Sequence, residues 1–295
     1  MNEAPWPSIA IITPSFNQLQ FLPGCIASVL DQGYTNLQYA IIDGGSTDGS
    51  IEIIKSNADR LHYWRSHPDD GPYAAVAEGF AKTDAEILGW INSDDILLPW
   101  ALKTVGGIFR DCPEVEWIST EIAMVICADG LPLGSIHIPG FNKVGFERRE
   151  NLIAQGSPTN ARFIQQESTF WRRSLWDKAG ARFDNRIKLA GDFELWDRFF
   201  DYARLYSIDV PLGVFRRYDI RQRSIGNLDQ YISECEKVLS RHPDTVPNST
   251  ALDARRIMFA EVKLQEFERH RQPIYAVRRL DDGRYIAGEY GWKDN

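Results

Sequence analysis

Within its first hundred residues the chain repeats one unit: a short apolar run ends in a polar loop, and a helical pattern follows. Ser8–Thr13 (SIAIIT) is a continuous apolar run too short for a helix, so it reads as a buried central strand. Leu19–Leu30 follows with Phe21, Ile26, Val29 and Leu30 at helical spacing. Leu37–Ile42 is the second strand, and Asp48–Ser56 is a helix with an acid in its first turn. Leu61–Trp64 and Pro72–Lys82 form the third pair. Glu86–Ile91 and Pro99–Phe109, with a proline near the helix start, form the fourth. Such alternation restricts the chain to βαβ units. It predicts an α/β fold with a mainly parallel central sheet flanked by helices.

The later pattern is less regular. Glu116–Cys127 reads as a strand and Asp129–Gly140 as a turn or hairpin loop. Glu147–Ala154 and Phe193–Tyr202 read as helices, and Leu205–Val210 as a strand. After Gly226 the periodicity becomes helical over Leu228–Arg241 and Ala251–Arg271, with a linker at His242–Thr250 between them. A length of 295 residues suits one α/β domain, residues 1–226, with a helical C-terminal extension, residues 227–295.

A formal charge of −8 excludes a general nucleic-acid binder, which needs a basic surface. It leaves room for a small phosphate ligand if a metal ion supplies the positive charge. Cys25, Cys112, Cys127 and Cys235 form no C-x-x-C pair, as expected of free core thiols in a reducing compartment. The histidines lack zinc spacing, and His62 and His67 fit a surface strand end. Met1–Ser8 has no signal-peptide pattern and no apolar run reaches ~20 residues. The expected location is cytoplasmic, with peripheral attachment at the inner membrane face left open.

In an open parallel sheet, ligands bind beyond the carboxyl ends of the strands. Three polar loops lie there: Thr13-Pro14-Ser15-Phe16-Asn17, Asp43-Gly44-Gly45-Ser46-Thr47-Asp48-Gly49-Ser50, and Asn92-Ser93-Asp94-Asp95. Any one of them is explained by turn chemistry alone. Three on one sheet edge favour a site. Neither G-x-G-x-x-G nor the P-loop pattern occurs, so no glycine nest holds phosphate. Adjacent Asp94 and Asp95 are hard oxygen ligands suited to Mg²⁺ or Mn²⁺. The competing reading is an N-cap for the helix near Pro99.

The runs ITPSFN, DGGSTDGS and WINSDD followed by LLPWAL together resemble the family 2 glycosyltransferases of GT-A fold. The resemblance continues at His67-Pro68-Asp69-Asp70-Gly71-Pro72-Tyr73, at Gln165–Trp171 and at Gly191–Trp196. It spans about residues 8–226. It implies that Thr13, Pro14, Phe16, Asn17, Asp43, Asp69, Gly71 and Asp94 bind the nucleotide, with Asp43 accepting from a uracil-type N–H. It implies that Asp94 and Asp95 hold Mn²⁺ or Mg²⁺, and that Asp192 is the catalytic base. Glu194 is the alternative base. Phe170, Trp171 and Trp196 are core residues or an acceptor platform. Two departures stand out. Asn92-Ser93-Asp94 replaces D-x-D, which leaves open whether Asp94 or Asp95 touches metal, Asp94 being favoured. Tyr218, in FRRYDIRQRS, stands where relatives often carry His, with Arg221 or Arg223 available for phosphate or simply solvated.

The implied activity is inverting transfer of a sugar from a nucleotide-diphosphate donor, a UDP-sugar, to a hydroxyl on a glycan or lipid-linked acceptor, in cell-surface polysaccharide biosynthesis. A sugar-nucleotide-binding module without activity is one alternative, opposed by the intact Asp94, Asp95 and Asp192. A sugar nucleotidyltransferase is another, opposed by PSFNQ where a glycine-rich basic loop would stand. The basic tail Ala251–Arg279 fits a helix lying on anionic lipid, or a solvated face whose Glu261, Glu266 and Glu268 balance its charge. Every donor motif precedes residue 227, so donor hydrolysis is expected to survive removal of the tail.

Overall fold

The computed structural model describes residues 5–138, 140–152, 163–219, 222–242, 274–280 and 283–290. The expected alternation is present. It runs β1 (Ile9–Ser15), α1 (Leu22–Leu30), β2 (Leu37–Asp43), α2 (Ser50–Ser56), β3 (Tyr63–Ser66), α3 (Pro72–Ala81), β4 (Ile87–Trp90), a short β5 (Ile96–Leu97) and α4 (Ala101–Asp111). β4, β1, β2 and β3 are neighbours in that order, and all pair in parallel. Period-two alternation splits their side chains between the two faces of the sheet. Ala10, Ile12, Ala40 and Ile42 pack toward α3, whereas Ile9, Ile11, Tyr39 and Ile41 pack toward α1 and α4. Full burial of one such aliphatic side chain is worth about 1.5–3 kcal/mol.

Glu116–Cys127 is not one strand but two. β6 (Trp117–Thr120) joins the central sheet, and β7 (Ile122–Ile126) joins a smaller one. The break at Glu121 is fixed by hydrogen bonds. Glu121 N–H donates to Ile208 O at 2.7 Å, Ile138 N–H donates to Glu121 O at 2.7 Å, and the Thr120 hydroxyl bonds Val210 O at 3.0 Å. Part of Asp129–Gly140 is a strand rather than a loop: β8 (Pro132–His137) pairs antiparallel with β7. The helix expected at Glu147–Ala154 lies earlier, as α5 (Lys143–Glu147), because the Asn142 side chain caps it by accepting from Gly145 N–H. Residues 153–162 lie outside the described segments.

β9 (Phe170–Arg172) inserts antiparallel between β4 and β6, followed by α6 (Arg173–Lys178), α7 (Gly191–Phe200) and β10 (Leu205–Ile208). β11 (Gly213–Arg216) then pairs with β5 and β7. After a short α8 (Arg223–Gly226), α9 (Leu228–Leu239) is helical as expected. The last described segments are not helical. β12 (Ile274–Arg279) and β13 (Tyr285–Tyr290) form a hairpin that extends the central sheet beyond β10. Residues 251–273, where the second tail helix was expected, are outside the described segments. Among the described residues the central sheet has the order β13-β12-β10-β6-β9-β4-β1-β2-β3, and the small sheet β5-β11-β7-β8. This is the expected α/β architecture, with a mainly parallel sheet between helices.

Phe170, Trp171 and Trp196 are core residues, each 2 % exposed or less. The Trp196 ring stacks on Trp90 at 5.9 Å, and Trp171 meets both edge-on. This aromatic block fixes the floor from which the next site rises.

Candidate active site

A cleft of about 850 Å³ opens at the carboxyl ends of β1, β2 and β4. Its walls include Pro14, Phe16, Asp69, Gly71, Asp94 and Asp192, all singled out from the sequence, and Asp95 lies at its base. Three expected nucleotide residues point elsewhere. The Thr13 hydroxyl turns into the core, 2.9 Å from the Tyr39 hydroxyl, because it shares the face of Ile9 and Ile11. Asn17, at φ 52°, clips the first loop to the second: its Oδ1 accepts from Thr47 N–H at 2.9 Å and its N–H donates to Ser46 Oγ at 2.8 Å.

Asp43 is the third. Its side chain is fully buried, and its carboxylate accepts from Gly45 N–H, Ser46 N–H, Ser46 Oγ and Ser66 Oγ at 2.6–3.0 Å. With four internal donors it holds the loop in shape, and it is not among the residues that line the cleft. Asp69 reaches the cleft itself. It accepts from Gly71 N–H at 2.9 Å and pairs with Arg65 at 3.1 Å, and Gly71, at φ 104°, turns the chain into α3.

The acidic turn lies between β4 and β5. It caps no helix, since α4 begins at Ala101 with Trp100 as its N-cap and no side-chain cap. The two aspartates have different surroundings. Asp95 is 1 % exposed; its Oδ1 accepts from Arg216 N–H at 2.7 Å and its Oδ2 from Asn92 Nδ2 at 3.2 Å. Asp94 is partly open to the cleft, and its Oδ2 accepts from the Tyr218 hydroxyl at 3.2 Å. The Arg216 guanidinium is spent on the carbonyls of Asp94, Cys127 and Ala128. Glu167, also in the cleft wall, adds a third carboxyl. Burial raises the affinity of all three for protons, Glu167 to about 7. For Asp95 burial is reinforced by the charges of Asp94 and Glu167. Among the described residues no group of three acidic, His or Cys side chains converges as a metal cage.

Asp192 sits in the first turn of α7 and faces the same cleft. It is not the N-cap, which is Ala190. Burial pushes its carboxyl up to about 6. The Tyr73 hydroxyl donates to Leu189 O at 2.6 Å beside it. Gly191 is required by this approach: a Cβ there would stand 2.7 Å from the Tyr73 ring. Glu194, the alternative base, is spent. Both of its oxygens bind Arg198 at 2.8 Å, on the far side from the cleft. Arg223 lines the cleft and donates to Lys188 O, with its guanidinium 5.8 Å from the Tyr73 ring. Arg221 is outside the described residues.

Ser15, Trp90, Glu167 and Tyr231 also line the cleft and were not singled out by role. Ser15 ends β1, and its buried hydroxyl has no hydrogen-bond partner among the described residues. Its place in the polar loop after the first strand was the available signal. Glu167 lies in Gln165–Trp171, a stretch that carries the resemblance without an assigned role, and Tyr231 comes from a distant segment with no comparable signal.

The sequence profile described as Glycosyl transferase family 2 matches residues 10–120. An uncharacterized glycosyltransferase of Mycobacterium tuberculosis is 34 % identical over 90 residues, 30 % of this chain and 34 % of that protein. The match thus spans about a third of the relative's length. Among solved structures, S. aureus TarS 1–349 in complex with UDP-GlcNAc superposes with TM-score 0.57 at 14 % identity, over 88 % of this chain and 77 % of that one. A mannosyltransferase of Pyrobaculum calidifontis in complex with GDP-Man and Mn²⁺ gives TM-score 0.53 at 14 % identity, over 84 % and 72 %. These likenesses establish the fold as that of the GT-A glycosyltransferases.

Proposed function

We propose, from the match of residues 10–120 to the Glycosyl transferase family 2 profile, that the chain transfers a sugar from a nucleotide-diphosphate donor to a hydroxyl acceptor. The observation that carries this reading is that one cleft, at the loop edge of the parallel strands, holds both a partly open carboxylate on an acidic turn, Asp94, and a half-buried carboxyl raised toward neutrality, Asp192. The first suits a metal–diphosphate and the second a general base.

Pro14, Phe16, Asp69 and Gly71 form the nucleoside end, with the free Ser15 hydroxyl as a further donor or acceptor there. Thr13, Asn17 and Asp43 support those loops from behind. UDP is the expected nucleotide, supported by the UDP-GlcNAc held by a protein of like fold. The donor set fits one Mn²⁺ or Mg²⁺, which binds one or two carboxylates together with phosphate oxygens. Asp94 would hold it, and Asp95, anchored to Arg216 N–H and Asn92, would shape the turn. A bound ion would neutralise charge gathering on the leaving diphosphate. Arg223, on the cleft wall, adds a positive charge.

The reaction needs the acceptor oxygen to attack the anomeric carbon from the side opposite the leaving group. The new C–O bond forms as the bond to the diphosphate oxygen breaks, and that electron pair leaves with the nucleoside diphosphate. The acceptor proton passes to the Asp192 carboxylate. The configuration inverts in this single displacement. A carboxyl raised to about 6 is a better base than an ordinary aspartate and is still ionised at neutral pH. The acceptor class, a glycan or lipid-linked glycan of cell-surface polysaccharide, stands on the family resemblance.

A donor screen tests the reading. Nucleotide sugars are incubated with Mn²⁺ and the products separated. Release of nucleoside diphosphate supports a transferase. With pyrophosphate added as co-substrate, release of nucleoside triphosphate together with sugar 1-phosphate would mark a nucleotidyltransferase, and no turnover with any donor would mark a binding module.

A further inference from the structure

The loop Lys188-Leu189-Ala190 delivers the chain into α7 two residues before Asp192. Its three successive N–H groups converge on one oxygen. Glu234 Oε2 accepts from Lys188 at 3.0 Å, from Leu189 at 2.7 Å and from Ala190 at 3.0 Å. The other oxygen accepts from Gln230 Nε2 at 3.1 Å. Glu234 belongs to α9, 42 residues beyond Asp192 in sequence, and is 4 % exposed. A carboxylate buried this deeply costs several kcal/mol unless it is met by donors. Burial alone would raise its proton affinity, but the N–H groups of Leu189 and Ala190 outweigh burial and hold it below the usual range. Glu234 is therefore a bound anion supplied by the chain itself, seated in a backbone nest at the positive end of α7.

The consequence lies on the other side of the loop. Leu189 donates its N–H to Glu234 and accepts the Tyr73 hydroxyl on its carbonyl. Gly191 packs against the Tyr73 ring. The peptide groups on which Asp192 hangs are thus clamped from behind by α9 and from the front by Tyr73. Tyr231, one turn before Glu234 on the same helix, enters the cleft wall beside them.

We infer that Glu234 is a positioning residue, through which the segment after residue 227 sets the place of Asp192 relative to the donor. It touches no reacting atom. The inference rests on the reading of Asp192 as the base. A positioning role predicts a loss of turnover with donor affinity retained, because Glu234 bonds the Lys188–Ala190 backbone and Gln230 and not the nucleoside loops.

The experiment compares the full-length wild type with Glu234→Ala, Glu234→Gln and Asp192→Asn. The probe is Mn²⁺-supported hydrolysis of UDP-GlcNAc, or of whichever UDP-sugar the screen shows to be hydrolysed fastest. UDP binding is followed by calorimetry. Glu234→Ala should lower kcat roughly 10–100-fold, the loss expected when a base is misplaced by about 1 Å, while donor KM and UDP affinity change less than about twofold. The acid limb of the pH profile should move, because the carboxyl of Asp192 has shifted in its burial. Glu234→Gln keeps an acceptor oxygen for the nest and should recover most of the loss. It also carries the test if the alanine variant does not fold. An unchanged kcat and pH limb in Glu234→Ala beside an inactive Asp192→Asn would overturn the inference alone. Parallel loss of kcat and UDP affinity would also overturn it, by showing a general loss of structure. Full activity in Asp192→Asn would instead overturn the base assignment on which the inference rests.

Discussion

Asp43 is fully buried and Asp192 half-buried, and the two differ further in their partners. Asp43 has four donors within 3.0 Å and stays in its loop. Asp192 accepts from Phe193 N–H at 2.8 Å with the Tyr73 hydroxyl beside it, and burial still raises its carboxyl to about 6. Turnover should therefore show an acid limb near pH 6, below which the carboxyl is protonated and cannot accept a proton, and Asp192→Asn should lose ~10²–10⁴-fold in kcat. The same group has a stability signature. The folded chain holds this proton more tightly than the unfolded chain, so stability falls as pH rises from about 4 to about 6, and the penalty is fully present above that. Asp192→Asn should accordingly raise stability at pH 7.5 by about 1–2 kcal/mol while abolishing turnover. A urea titration beside the rate assay checks both, and an inactive but destabilised variant would argue against a strained, functional carboxyl. Asp43→Ala should behave in the opposite way. It strands Ser46 and Ser66 donors and should cost about 1–3 kcal/mol without any ligand present. A variant of unchanged stability that only lost nucleotide would restore the base-contact role. In the sequence these two residues both read as an acid in a polar loop. The donors that distinguish them arise only when the loops are folded, although the period of two along Ile9–Ser15 already placed Thr13 with the core.

The elements were largely legible because each central strand is a continuous apolar run closed by turn chemistry, and four such runs in order leave few topologies. What escaped was settled by long-range pairing. Glu121 divides one apolar run because Ile208 and Ile138 take its backbone groups. The terminal hairpin lies beyond residue 273, and its first strand, β12, pairs with β10 while β13 pairs with β12, which no local pattern shows. α9 was legible as a helix, but Glu234 was not legible as a clamp, since its three donors stand 44–46 residues upstream. Two predictions belong here. Gly191→Ala places a methyl 2.7 Å from the Tyr73 ring and should cost about 1–3 kcal/mol by overpacking. It should also displace Tyr73 from Leu189 O, so turnover falls further than donor binding; an alanine variant of wild-type stability and rate would show that the contact relaxes freely. Truncation after Gly226 is the second. It removes Val238 and Leu239, 5 % and 0 % exposed, from the core beside α7. Each is worth about 1.5–3 kcal/mol, so the shortened chain should melt well below the 295-residue chain, a cost that is separate from the donor hydrolysis which motif order expects to survive. A truncated chain with an unchanged melting temperature would show that α9 adds nothing to the core.

At the scale of the whole molecule, charge governs what the cleft accepts. The chain carries a formal −8, and Asp94, Asp95 and Glu167 share one wall of the cleft. A diphosphate brought there alone is repelled. A divalent cation between carboxylate and phosphate reverses the sign. No helix among the described residues is long and apolar enough to cross a membrane. The decisive measurement is the thermal midpoint of the wild type and Asp94→Ala with UDP at about a hundredfold excess over its dissociation constant, once with Mn²⁺ and once with EDTA. In the wild type the ligand should add ~2.7 kcal/mol with Mn²⁺, a rise of several degrees, and far less with EDTA. Asp94→Ala should lose most of the metal-dependent part. Equal shifts with Mn²⁺ and with EDTA, or a metal-dependent shift undiminished in Asp94→Ala, would contradict the account of the acidic turn as the site where metal and nucleotide meet.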